Sequence, residues 1–348
     1  MECLSEERLH KFRIIIEQAK PNIAIVGHLD PDSIACMKAF MKICALFKKN
    51  YKLFYFGGWN NPQNNYLKNA FTLSDDFSEL KVFDKLPDEE KKQYDIVLLD
   101  SSSLDDRRLE GIKINPIIII DHHPTKNQLI ESEKTFFWIN SYGAAATMVS
   151  ELYLQMGLSF ENEPELATLI AVAIDTDTRN MSAKSTTQSD VNIFLAVWPY
   201  IKQDVRRDSR NVVKDTIYYA FEDKARDKRE LQNNTALFFL GYIDADKADY
   251  LSFLSDQFSE YEDMKTVFVV AIGNDGFVYV KARSRDNTID LDKEMKDRFG
   301  EKNAGARFGA GAAKIPMDFW IPSDNSKDEH LTYIEKRMRD AIFKDSSE

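Results

Sequence analysis

Short apolar runs that stop abruptly at polar residues recur along the chain, separated by stretches whose apolar residues follow helical spacing. Ile117–Ile120 is the strongest of them: four consecutive β-branched side chains with no polar alternation, as in a strand buried on both faces of a parallel sheet. It ends in Asp121, His122, His123 and Pro124, and the proline cannot donate to a strand ladder. The run that begins at Asn22 ends in the same way at His28, and the run that begins at Asp95 ends at Asp100. Residues 5–19 carry apolar positions at helical spacing up to Pro21, and Ile34, Met37, Phe40, Met41, Cys44 and Phe47 mark an amphipathic helix. Tyr51–Phe56 predicts a further strand, Phe136–Ile139 a short one, and Gly143–Thr147 the start of a helix reaching Met156. Pro164 opens a buried helix over Leu166–Ile174, which stops at Asp175, Thr176, Asp177 and Thr178. Strands alternating with helices predict an α/β fold with a doubly wound, mostly parallel sheet.

Beyond residue 184 the pattern changes. Residues 185–232 read as a charged helical linker in which Arg206, Arg207, Arg210, Lys224, Arg226, Lys228 and Arg229 form a solvated face. Strand-like runs follow over 236–243, 267–272 and 277–282, the last two joined by the hairpin signal Gly273-Asn274-Asp275-Gly276. A helix near 289–299 then precedes a glycine-rich stretch over 305–313. The expected organisation is a first α/β domain over 1–184, the helical linker over 185–232, and a smaller second α/β domain over 233–348.

Composition narrows the function. With 348 residues the chain has ample core for two domains, and its formal charge of −11 argues against tight binding to long nucleic acid. A local basic pocket for a short anion remains compatible with that charge. Cys3, Cys36 and Cys44 are too few and too scattered for a disulfide framework or a thiolate zinc site, which suggests a reducing, cytoplasmic setting. No apolar run reaches the length of a membrane span, so no membrane partner is expected.

The polar residues at the element ends are His28, Asp30, Asp32, Asp100, Asp121, His122, His123, Asp175 and Asp177. Helix capping accounts for one carboxylate in Asp30-Pro31-Asp32, but not for His28, Asp30 and Asp32 meeting at one strand-to-helix turn. The set offers imidazole nitrogen and carboxylate oxygen without thiolate, which suits Mn²⁺, with Mg²⁺ or Fe²⁺ as alternatives. Several carboxylates share one pocket at neutral pH only if cations neutralise them or their pKa values rise. Two divalent ions resolve the conflict and suit phosphoryl displacement.

His28-Leu29-Asp30-Pro31-Asp32, Asp100 after its apolar run, Asp121-His122-His123 and Asp175-Thr176-Asp177-Thr178 resemble the four ordered motifs of the DHH phosphoesterase superfamily. The carboxyl-terminal half resembles the DHH-associated domain of its RecJ-like and oligoribonuclease (nanoRNase) members. The resemblance implies a first metal on His28, Asp30 and Asp100 and a second on Asp32, Asp100, His122 and Asp177, with Asp100 bridging. Asp175 is the alternative to Asp177 or stands behind the ligands, and Asp121 would orient His122. His123 would face the substrate phosphate and, with Asp100, act in catalysis. In the second domain Arg283 and Ser284 resemble a substrate-facing pair, and Gly309 and Gly311 would bring backbone N–H groups to an anion. Arg307 stands where the family's glycine loop usually carries a histidine.

The expected activity is hydrolysis of short oligonucleotides or small nucleotides. A family II-like pyrophosphatase or exopolyphosphatase is the alternative enzyme, to which Asp32-Ser33-Ile34 is similar, and a non-catalytic nucleotide sensor is the alternative outside enzymes. The sequence leaves a homodimer open.

Overall fold

A computed structural model describes residues 4–57, 59, 62–71, 73, 77–101, 114–123, 129–261, 264–286, 288–307, 309–317 and 327–343. The chain divides into two compact units, Met1–Val212 and Val213–Glu348. In the first, α1 (Glu6–Gln18), β1 (Asn22–His28), α2 (Pro31–Leu46), β2 (Asn50–Phe56), α3 (Pro62–Ala70) and β3 (Phe77–Glu79) lead to α4 (Leu80–Lys85), α5 (Asp88–Lys91) and β4 (Tyr94–Leu99). Then come β5 (Pro116–Asp121), β6 (Phe136–Ile139), α6 (Ala145–Gln155), α7 (Pro164–Asp177), α8 (Gln188–Val197) and α9 (Gln203–Arg210).

The six strands form one parallel sheet in the order β3-β2-β1-β4-β5-β6. Alternation explains the unbroken apolar runs. Ile23, Ile25, Leu53, Val97, Leu99, Ile118 and Ile120 join the core beneath α1, α2, α6 and α7, while Ala24, Val26, Phe54, Leu98 and Ile119 point the other way against Leu80 and Phe83 of α4. Each strand therefore has two apolar faces. α7 is buried along its length from Leu166 to Asp175 because it packs against α2, α6, α8 and α9. The strand order reverses between β1 and β4, so a crevice opens at their carboxyl ends, the usual ligand position in such sheets.

The second unit contains α10 (Thr216–Asp227), β7 (Arg229–Gln232), β8 (Thr235–Ile243), α11 (Tyr250–Phe258), β9 (Thr266–Gly273), β10 (Phe277–Ser284), α12 (Leu291–Phe299), β11 (Ala304–Arg307), β12 (Ala310–Pro316) and α13 (Lys327–Phe343). Its sheet is mixed, in the order β11-β12-β10-β9-β8-β7, with β8 and β9 parallel and the other pairs antiparallel. One face packs on α12 and α13 through Leu237, Phe268, Val270 and Val280, the other on α10 and α11 through Phe238, Val267 and Val269. The stretch 185–232 is shared out: α8 and α9 belong to the first unit, α10 and β7 to the second. Among the described residues no helix is long and apolar enough to cross a membrane.

The glycine-rich stretch forms the β11–β12 hairpin. Gly309 has φ +77°, and a Cβ there would lie 2.6 Å from the Ser284 carbonyl oxygen, which no L side chain accommodates without movement. Gly311 is confined too, its would-be Cβ 2.9 Å from Met295 Cγ. Gly309→Ala is expected to destabilise the second unit by about 1–3 kcal/mol, visible in denaturant unfolding as a lower midpoint at unchanged slope. An unchanged midpoint would show that the hairpin tolerates a side chain and that geometry does not demand this glycine.

Candidate metal centre

Five element ends deliver the site. His28 closes β1, and its Nδ1 lies 3.1 Å from Asp30 Oδ2. Asp30 caps α2, its Oδ1 accepting the Ser33 N–H at 2.8 Å. Asp32, in the first turn of α2, is buried and accepts the Ala145 and Ala146 N–H groups, both at 2.7 Å. Those amides open α6, where N–H groups lack partners within the helix and the dipole favours a negative charge. Asp100 follows β4 in the left-handed region, φ +54°, fixed by its own N–H donating to the Ile120 carbonyl at 2.9 Å. Ser33 Oγ donates to Asp100 Oδ2 at 2.8 Å, while Asp100 Oδ1 is buried with no hydrogen-bond partner among the described residues.

His122 lies at the centre. Its Nδ1 is 3.1 Å from the Tyr142 carbonyl oxygen, which can only accept, so Nδ1 carries a proton and Nε2 is the nitrogen turned toward the acids. That Nε2 is 3.4 Å from Asp177 Oδ2, 3.5 Å from Asp100 Oδ1 and 3.7 Å from Asp32 Oδ2. Two groups of three donors, Asp32–His122–Asp177 and Asp100–His122–His123, have ligand atoms within 4.8 Å of one another.

Burial, then the charges of Asp177 and Asp30, pushes the Asp32 carboxyl well above its ordinary range, against the pull of the Ala145 and Ala146 amides. Asp100 is raised by burial first and then by Asp32 and Asp30, with His122 opposing. These acids resist sharing a pocket as anions. A divalent cation relieves that repulsion, and the oxygen and nitrogen donors fit Mn²⁺ or Mg²⁺.

The DHH family amino-terminal domain matches residues 22–174, the span that holds all but one of these residues. The chain carries a DHH family amino-terminal domain. It is 30% identical over 245 residues to the A-adding tRNA nucleotidyltransferase of Aquifex aeolicus, a match that covers 68% of this chain and 27% of that protein. The chain spans between about a quarter and a half of the length of the curated relatives it matches. An exopolyphosphatase-related protein from Bacteroides fragilis shares the fold over 98% of both chains, with TM-score 0.68 and 13% identity. RecJ from Thermus thermophilus, crystallised with Mn²⁺, covers 99% of this chain and 56% of its own, with TM-score 0.52 and 14% identity.

One expected contact differs in the structure, that of Asp121 with His122. Asp121 meets His123, whose Nδ1 lies 2.6 Å from Asp121 Oδ1, whereas the partner at His122 Nδ1 is Tyr142; the inward side chain of the last strand residue is met by the residue that turns back over it. His123 faces the cluster as well as the surface, with Nδ1 3.6 Å from Asp100 Oδ1 and a side chain 35% exposed. Asp175 is taken up by Arg206, at 2.7 and 3.2 Å, and by Arg210 at 2.5 Å; Arg206 is thereby drawn out of the solvated face, while Arg210 stays exposed. Arg206 also covers the Phe194 and Trp198 rings. His28 and Asp30 pair with each other beside Asp100's partner Ser33.

In the second unit Arg283 is paired with Asp256, and Ser284 Oγ lies 3.2 Å from Thr266 Oγ1. Strand alternation puts Arg283 and Ser284 on opposite faces of β10. Arg307 closes β11, opposite Ala310 of β12; its side chain, like Pro124, lies outside the described residues.

The raised acids set a pH dependence. The folded, metal-free protein binds more protons than the unfolded chain above the ordinary carboxyl value near 3.8, so stability falls as pH rises from there through the raised folded values. Chelator-treated protein should melt lower at about pH 8 than at about pH 5.5. Mn²⁺ at ~100 times its dissociation constant should add about 3 kcal/mol, or roughly 5–10 °C. Asp100→Asn should flatten the metal-free pH dependence and blunt the Mn²⁺ response. A melting temperature indifferent to both pH and Mn²⁺ would rule out this electrostatic account.

Proposed function

We propose that the chain hydrolyses phosphoester bonds in short oligonucleotides or small nucleotides, using two divalent cations, Mn²⁺ or Mg²⁺, at the carboxyl edge of its parallel sheet. As a chain with a DHH family domain it is a phosphoesterase. The observation that carries the reading is the meeting of Asp32, His122 and Asp177, far apart in the chain, with donor atoms within 4.8 Å. These three, with Asp100 shared, would hold one cation, and Asp100 with His28 and Asp30 the other. Bound there, divalent cations supply positive charge for a phosphate oxygen and a lowered pKa for water.

The chain's own groups do the positioning. Asp32 is pinned by two α6 amides and Asp100 by Ser33, so both carboxylates keep their aim without a substrate. His122, fixed by Tyr142 through Nδ1, keeps its Nε2 turned toward Asp32, Asp100 and Asp177. His123, anchored through Nδ1 to the buried Asp121, is the partly exposed ring proposed to meet the scissile phosphate. Arg283 and Arg307 are proposed as cations for the remaining phosphates, with Ser284, Gly309 and Gly311 as their frame. A chain of charge −11 suits a substrate with few phosphates better than a long strand.

The Aquifex relative is named for tRNA and the Bacteroides protein for polyphosphate, so both nucleotides and condensed phosphate belong in the test. With Mn²⁺, purified protein should turn over dinucleotides or a nucleoside bisphosphate. Asp177→Asn and His122→Ala should each lower kcat/KM about a thousandfold, some 4 kcal/mol of transition-state stabilisation. Activity confined to pyrophosphate or polyphosphate would reject the nucleotide substrate. Nucleotide binding without any turnover would make the chain a sensor.

A further inference from the structure

Asp190 lies in α8, outside the four motifs, and is wholly buried. Its Oδ2 accepts hydrogen bonds from Gly143 N–H at 2.9 Å and from Thr187 N–H and Oγ–H, both at 2.7 Å, and its Oδ1 accepts from Thr147 Oγ–H at 2.5 Å. The Gly143 N–H and the Tyr142 carbonyl are the two edges of a single planar trans peptide group. One edge points at Asp190 and the other receives the His122 Nδ1–H at 3.1 Å. Fixing one edge of a rigid plane fixes the other.

We infer that Asp190 is a positioning residue that sets the tautomer and aim of His122 through the Tyr142–Gly143 peptide. The inference rests on the reading that Asp32, His122 and Asp177 hold a cation. The same carboxylate reaches the second member of that group, because Thr147 stands in the first turn of α6, whose Ala145 and Ala146 amides hold Asp32. It adjoins the third as well. A Cβ at Gly143 would lie 2.5 Å from Asp190 Oδ2 and 2.6 Å from Thr178 Cγ2, so the peptide fits only as glycine, wedged against the residue that follows Asp177. At its other end Tyr142 is tied by its hydroxyl, which donates to the buried Glu151 at 2.9 Å. A carboxylate behind a metal-binding histidine orients it and raises its basicity; here a polarised peptide is interposed.

The test is Asp190→Asn, which keeps the volume but sets an amide donor among four donors. In metal-free protein, nitrogen-15 NMR of the imidazoles should show His122 as the Nδ1–H tautomer in the native chain and as a tautomer mixture in the variant. Calorimetric titration should show Mn²⁺ affinity lowered about 10–100-fold. If the variant fails to fold, Thr147→Val, which strips one of the four bonds at nearly equal volume, is read by the same two measurements and should move both in the same direction. A folded variant with the native tautomer and native Mn²⁺ affinity overturns the inference, as does a native His122 protonated at Nε2. The tautomer readout needs no metal: a native chain that binds no divalent cation defeats the proposed function, and the tautomer comparison still decides the role of Asp190.

Discussion

Burying Asp32 and Asp100 side by side at the sheet's switch point is the constraint to which the rest of the amino-terminal unit answers. Each is at most 5% exposed, and beyond burial the charges of Asp177 and Asp30 raise the pKa of Asp32 while those of Asp32 and Asp30 raise that of Asp100. Solvent supplies little screening there, so the protein substitutes fixed dipoles: two α6 amides on Asp32 and the Ser33 hydroxyl on Asp100. These hold the carboxylates apart and aimed, but they do not cancel the charge. The residual mismatch between fold and charge is what gives the pocket its appetite for a divalent cation.

Backbone strain gathers at the same place. Asp100 has φ +54°, and Arg179, Asn180 and Met181, directly after Asp177 and Thr178, run consecutively at +49°, +57° and +66°. Left-handed backbone costs an L residue roughly 1–2 kcal/mol, somewhat less for Asp and Asn. The turn after α7 is held by Asn180 N–H to the Asp175 carbonyl at 2.8 Å and by Met181 N–H to Thr178 Oγ1 at 3.0 Å. Asp175 itself is clamped by two arginines of α9. Strain at Asp100 and beyond Asp177 is thus borne by neighbouring residues rather than relieved locally, which is the usual distribution where geometry matters more than local comfort.

The sequence made the strand ends legible because an apolar run and the polar residue that stops it are adjacent in the chain, and the carboxyl edge of a parallel sheet is where such residues meet. Asp100, His122 and Asp177 stand at such ends. Asp190 does not: in sequence it is an ordinary acid in the first turn of a helix, and its contacts depend on α8 packing beside α6 and α7. The Tyr142 carbonyl and the α6 amides were invisible for a different reason: backbone atoms have no letter. Arg206 departs from the solvated face that local charge pattern predicts because α9 packs on α7 and carries it, with the exposed Arg210, to Asp175. Gly309 reads in sequence as part of an anion loop, and only its φ and the nearby Ser284 carbonyl show that the backbone itself requires glycine there.

Why a peptide should stand between Asp190 and His122 follows from the same crowding. A carboxylate bonded directly to the imidazole would orient it well, but it would bring another negative charge to a ring already 3.4–3.7 Å from three acids. Through the Tyr142–Gly143 group the histidine meets a neutral carbonyl. The charge of Asp190 is set back by the width of the peptide and met by four donors of its own. Orientation passes through a rigid plane at almost full strength, while Coulomb repulsion weakens with each ångström of separation. A pocket that must hold its acids ready for a cation gains positional control this way without deepening the repulsion that the cation has to overcome.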